Sequence, residues 1–114
     1  MVAIFEHRNI EKTDLERELK FPFDAILTNL SPDHQSNLSS GKSPKLVVKD
    51  DQGGTHWLTV EKRPKGTYFT NGWKDFRIAK RIEENDKISL YKEENHSSPG
   101  GQCTYRIEVE PKDR

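Results

Sequence analysis

The chain has 114 residues, of which 33% are charged and 31% hydrophobic, which points to one domain with a thin core. Its longest apolar run, Val2–Phe5, is far short of the ~20 residues of a transmembrane helix and of the apolar centre of a signal peptide, and one cysteine, Cys103, excludes an internal disulfide or a multi-cysteine zinc site. The 19 Lys+Arg equal the 19 Asp+Glu, a balance that at first argues against a nucleic-acid binder.

In chain order, Val2–Phe5 is rich in strand formers. Phe23–Asn29 reads as a short helix with Pro22 at its start. Ser31–Pro44, rich in Ser, Asn, Pro and Gly, reads as a long surface loop. Lys45–Lys49 is a short β-branched strand. Asp50-Asp51-Gln52-Gly53-Gly54 then supplies the turn of a hairpin into Thr55–Val60. That second strand alternates, with Thr55, Trp57 and Thr59 on one face and His56, Leu58 and Val60 on the other. Pro64-Lys65-Gly66 introduces a strand over Thr67–Thr70, and Asn71-Gly72 turns into a helix over Trp73–Lys80 with Trp73 and Phe76 on an apolar stripe. Lys87–Lys92 and Thr104–Val109 are two further strands, joined by a second expected loop, Glu93–Gln102. Short strands with regular turn signals suggest an all-β barrel or sandwich.

Little in this chain points to catalysis. The four histidines, His7, His34, His56 and His96, lack metal-ligand spacing, and His56 alternates into a strand, where a structural role is expected. Cys103 reads as a small residue at a strand start, and no phosphate-binding or nucleophile-elbow glycine motif is present. No enzymatic activity, cofactor or metal is therefore expected. The three Asn-x-Ser sequons at Asn29, Asn37 and Asn95 carry no weight without a route to the secretory pathway.

The neutral total hides an uneven distribution. Residues 1–40 hold 4 basic and 7 acidic residues, residues 41–81 hold 10 and 4, and residues 82–114 hold 5 and 8. A basic middle thus lies between acidic flanks, with Lys62-Arg63-Pro64-Lys65, Lys74, Arg77, Lys80 and Arg81 at its centre. Such a run is either a solvated face or a surface that meets phosphate.

Several motifs occur together in an informative order. Asp50…Gly53/Gly54…Trp57 is followed by Tyr68-x-Thr70-Asn71-Gly72-Trp73-x-x-Phe76, then by Ile82-x-x-Asn85-Asp86-x-Ile88-x-Leu90. Upstream stand Phe5…Ile10-x-Lys12-Thr13-Asp14-Leu15 and Leu19-x-Phe21-Pro22. Over roughly residues 4–110 the chain resembles the plant B3 DNA-binding domain, most of all its small single-domain subgroups. The resemblance implies a mainly β fold, a seven-stranded open β-barrel with two short α-helices, spanning 1–114 as one domain. It also implies a monomeric nuclear transcription-factor module that binds double-stranded DNA sequence-specifically in the major groove. Other transcription regulators would be further partners, and no membrane association is expected.

In that family two arms grip the groove. Carried over, the first arm is Arg8 to Lys20, with Arg8, Lys12, Thr13, Arg17 and Lys20 as DNA-contacting candidates. The second is Glu61 to Thr70, with Lys62, Arg63, Pro64, Lys65, Tyr68 and Thr70, followed by Asn71. A hairpin fits a major groove, Arg63 suits guanine O6/N7, and Lys62 and Lys65 suit phosphate or guanine. Tyr68, Thr70 and Asn71 could hydrogen-bond phosphate, with half-buried packing the alternative for Tyr68. Lys62-Arg63-Pro64-Lys65 also fits a short nuclear-localisation pattern. Trp57, Phe69, Trp73, Phe76, Ile88 and Leu90 are expected in the core. Asn85, where the family commonly has glycine, is expected to take a left-handed backbone. The first arm departs from the pattern: Glu11, Asp14, Glu16 and Glu18 are interleaved with its cations, and Phe23 replaces the usual basic residue after the proline. The alternative function is a protein-interaction module on the same barrel.

Overall fold

The computed structural model describes residues 2–93 and 104–112. Seven strands form one mixed sheet: β1 (Val2–Asn9), β2 (Leu19–Lys20), β3 (Lys45–Lys49), β4 (Thr55–Arg63), β5 (Gly66–Phe69), β6 (Lys87–Glu93) and β7 (Thr104–Glu110). The spatial order is β1-β6-β7-β3-β4-β5-β2, antiparallel throughout except for the parallel β3–β7 pair. The sheet curls into a half-barrel, so the expected mainly β, barrel-like fold is present.

Part of the curl starts in β1. His7 has φ 55°, and the β1–β6 register slips between Phe5 and Arg8. An extra residue on one strand bends it and raises its twist. A separate slip, between Ala3 and Phe5, lets adjacent Ile4 and Phe5 both face inward, and at the His7 bulge the buried Ser89 hydroxyl accepts the His7 N–H at 3.0 Å.

The core is built from the inward faces of the strands and one helix. Leu46, Val48, Leu58, Val60, Phe69, Ile88, Leu90, Tyr105 and Ile107 are all fully buried. Phe21 bridges the strands by edge contacts to Phe5 (5.2 Å) and Phe69 (4.8 Å).

Three short α-helices flank the sheet: α1 (Lys12–Glu16), α2 (Pro32–Ser39) and α3 (Trp73–Ala79). The last agrees with the sequence reading. Gly72 before it has φ 92°, and a Cβ there would lie 2.2 Å from the Trp57 carbonyl oxygen, so only glycine fits this turn. Asn85 is left-handed as expected, with φ 74°.

Other expectations change. Phe23–Asn29 is not an α-helix; only Leu27–Asn29 forms a 3-10 turn. The Ser31–Pro44 segment is not structureless, because α2 occupies most of it. The Ser31 hydroxyl accepts the His34 N–H at 3.3 Å, Pro32 takes the first helical position and Leu38 is buried. Trp57 is not core: it is 59% exposed, because the alternation of β4 sends Leu58 and Val60 inward and Trp57 outward. Of the expected Glu93–Gln102 loop, Glu93 ends β6; the rest of it, His96 and Cys103 lie outside the described residues.

Candidate nucleic-acid interface

The two proposed arms are distant in sequence but adjacent in space. β2 pairs with β5, setting Leu19 opposite Phe69 and Lys20 opposite Tyr68. β5 in turn pairs with β4, setting Glu61 opposite Tyr68, Lys62 opposite Thr67 and Arg63 opposite Gly66. Residues directly opposite share a face and successive residues alternate. Lys20, Tyr68, Glu61 and Arg63 therefore share the outward face, while Leu19, Val60 and Phe69 point to the core.

Helix α1 forms the wall of this outward face. Its first turn is closed by Asp14, whose Oδ2 accepts the Glu11 N–H at 2.8 Å. Trp73 Nε1 donates to the Asp14 carbonyl at 2.7 Å and ties α1 to α3. The result is a cleft of about 280 Å³ lined by Thr13, Asp14, Arg17, Glu18, Lys20, Arg63 and Tyr68. Four of the candidates on the two arms thus join one concave surface with Tyr68.

Arg63 is held firmly in it. Its guanidinium forms a close ion pair with Glu18, lies 3.3 Å from Glu61 and sits 5.1 Å over the Tyr68 ring. The hydrogen bonds it donates to the Glu61 and then the Glu18 carboxylate raise its already high pKa. Lys20 crosses the hairpin beside it. A Cβ on Gly66, whose φ is 147°, would come within 2.9 Å of Lys20 Cε, so glycine at this turn admits the lysine stem.

The remaining candidates are dispersed. Lys62 faces the opposite way from Arg63 and lines a depression with Leu27, Gln35 and Leu38, beside α2. Pro64 and Lys65 are exposed at the hairpin tip. They border a second groove of about 240 Å³ with Lys20, Pro22 and the wholly exposed Phe23. Thr70 and Asn71 lie at the base of the hairpin, where their backbones pair with Thr59. Lys12 is exposed beside Glu16 at 3.9 Å.

Arg8 is internal to the fold. Its side chain is 14% exposed, bonded to Asp14 at 3.1 Å and to the Lys20 carbonyl at 3.2 Å. Burial raises the pKa of Asp14, while the Glu11 N–H and Arg8 act against that rise. Arg8 therefore fixes the position of the first arm and does not project from it.

Sequence reasoning missed how Glu18 and Glu61 would clasp Arg63. The β4 alternation carried part of that signal, since it separates Lys62 from Arg63 and places Glu61 with the latter. No signal along the chain reveals Glu18, which approaches only through the β2–β5 pairing. No protein-family model and no curated protein matches this chain.

Proposed function

We propose that this protein is a B3-type, non-catalytic module that binds double-stranded DNA in the major groove, sequence-specifically, as part of transcription control in the nucleus. The observation that supports this most is the convergence of two arms on one outward surface. The β4–β5 hairpin is a two-stranded ribbon of the size a major groove admits. It offers Arg63 on its flank and Lys65 at its tip, with Arg17 and Lys20 across the cleft. The resemblance in the order of the motifs adds to this.

On this reading Arg63 and Lys65 approach base edges and phosphate together, and Lys62, on the other face, contributes to the field without entering the same groove. The test is selection from a random duplex library at two salt concentrations. An enriched motif is expected, bound more weakly as salt rises. Arg63→Ala/Lys65→Ala should lower affinity for it about tenfold or more, and Lys62→Ala much less. No enriched motif, or a motif bound equally by the double variant, would refute the reading.

A second reading, a protein-interaction module on this barrel, is favoured by two specific features. Glu18 and Glu61 already neutralise Arg63, and Phe23 stands fully exposed at the rim of the groove beside the hairpin tip. The selection decides between the two, because an interaction module enriches no duplex.

A further inference from the structure

On the outer face of β3–β4, away from the cleft, Trp57 lies in an unexpected setting. It stands in mid-strand, 59% exposed, directly opposite half-buried Val47. Lys45 opposes Thr59 and Lys49 opposes Thr55, so both lysines share the Trp57 face, two residues either side of Val47. Both are exposed, and neither carries an ion pair among the described residues. They stand about 13 Å apart along β3, each diagonal to the indole at about 7–8 Å between backbones. Leu46, Val48 and Leu58, on the opposite face, are fully buried, so the strands under the indole are anchored.

We infer that this face binds single-stranded DNA, with one base stacked on Trp57 and the phosphates on either side held by Lys45 and Lys49. An aromatic platform accepts any base through its π-face, and flanking cations follow the backbone. A peptide of acidic residues alone would satisfy the lysines but brings no aromatic ring to stack on the indole. Val47 gives the sugar an apolar floor, where a 2′-hydroxyl would lose a hydrogen bond to water, so deoxyribose is the better fit. The site uses none of the arm residues and stands whether or not they bind duplex.

The two tryptophans make the site directly observable. Trp73 is fully buried and Trp57 is exposed, so a base stacking on the surface should quench Trp57 fluorescence. The probe is a fluorescein-labelled 12-mer of thymidine, followed by anisotropy, with unlabelled 12-mer used for quenching. Saturable quenching is expected. Trp57→Ala should weaken anisotropy-detected binding at least about fivefold. Lys45→Ala/Lys49→Ala, which keeps the fluorophore, should do the same and flatten the log–log salt slope by about 1.4. Arg63→Ala/Lys65→Ala should leave this binding unchanged, so failure of the duplex reading and failure of this one are separable. Circular dichroism would confirm that each variant is folded. The inference is overturned by absence of quenching, by unchanged affinity in Trp57→Ala, or by equal loss in Arg63→Ala/Lys65→Ala. Displacement by poly-glutamate at equal charge would assign the face to an acidic protein instead, and tighter binding of a uridine 12-mer would reject the deoxyribose assignment.

Discussion

Asp50 shows how much one carboxylate can organise. It is 5% exposed where the β3–β4 turn meets the end of α3. Its Oδ2 accepts from Lys80 Nζ and His56 Nε2, each at 2.8 Å, and its Oδ1 from the backbone N–H groups of Gln52 and Gly54, also at 2.8 Å. Burial alone would raise its pKa, but the bonds from Lys80, His56, Gly54 and Gln52 outweigh it and hold the pKa well below the ordinary carboxylate range. A carboxyl depressed in the folded state stabilises fully above its unfolded pKa of about 3.9, and that contribution fades as pH falls towards the folded value. Asp50→Ala also leaves Lys80, only 15% exposed, without its charged partner. The variant should lose about 3 kcal/mol at pH 7. Urea denaturation should show its gap to the parent narrowing as pH falls from 5 towards 2; a gap independent of pH would remove the carboxylate from the explanation.

At the level of elements, α2 depends on a partner far along the chain. Tyr105, fully buried in β7, accepts the Ser31 N–H at 3.0 Å and lies 2.7 Å from His34 Nδ1 through the same hydroxyl. Removing that hydroxyl while keeping the ring strands a buried N–H at the start of the helix. Tyr105→Phe should therefore cost about 1–3 kcal/mol, whereas Ser31→Ala, which loses only a cap, should cost about 1 kcal/mol. Urea denaturation measures both, and hydrogen exchange over residues 31–39 should quicken in each; unchanged exchange in Tyr105→Phe would mean that α2 is held by Leu38 alone. The local start signal of this helix, Ser31 before Pro32, stood in the sequence, but the partner that holds it did not. Its residues are polar and turn-forming, and the acceptor that starts it is 74 positions away. The strands were legible because alternation and turn glycines are local: β3, β4, β5, β6 and β7 follow the expected runs closely. Alternation divides β4 into two faces without saying which one is buried. The size of Trp57 favoured its own face, but Leu58 and Val60 meet Leu46, Val48 and Phe69 across the sheet and take the core. The candidate site was legible to the same degree. The hairpin, its cations and Glu61 could be seen along the chain, while the Glu18–Arg63 ion pair arises only when β2 joins β5.

For the whole molecule, the basic middle of the chain does not become one basic surface. Lys80 is turned inward to Asp50, Lys62 lies exposed towards α2 on the other face, Arg63 is clasped by Glu18 and Glu61, and Lys65 stands exposed at the hairpin tip. With no net charge, long-range attraction to a duplex is weak, so on the proposed reading affinity would rest on short-range contacts placed by the arms. The two carboxylates then act in opposite directions. They hold the Arg63 guanidinium in one orientation, and they repel the phosphates it would approach. Their ion pairs with Arg63 are partly exposed and contribute little stability, so neutralising them should leave the fold intact. Glu18→Gln/Glu61→Gln keeps the amide oxygens as acceptors, raises the formal charge by two and frees the guanidinium for phosphate or guanine. Duplex affinity should rise severalfold at low salt, with the log–log salt slope steeper by about 0.9 for each further phosphate neutralised. Loss of affinity in this variant would show that Glu18 and Glu61 are needed to orient Arg63 towards the bases, and an unchanged slope with unchanged affinity would show that the cleft does not face the duplex at all.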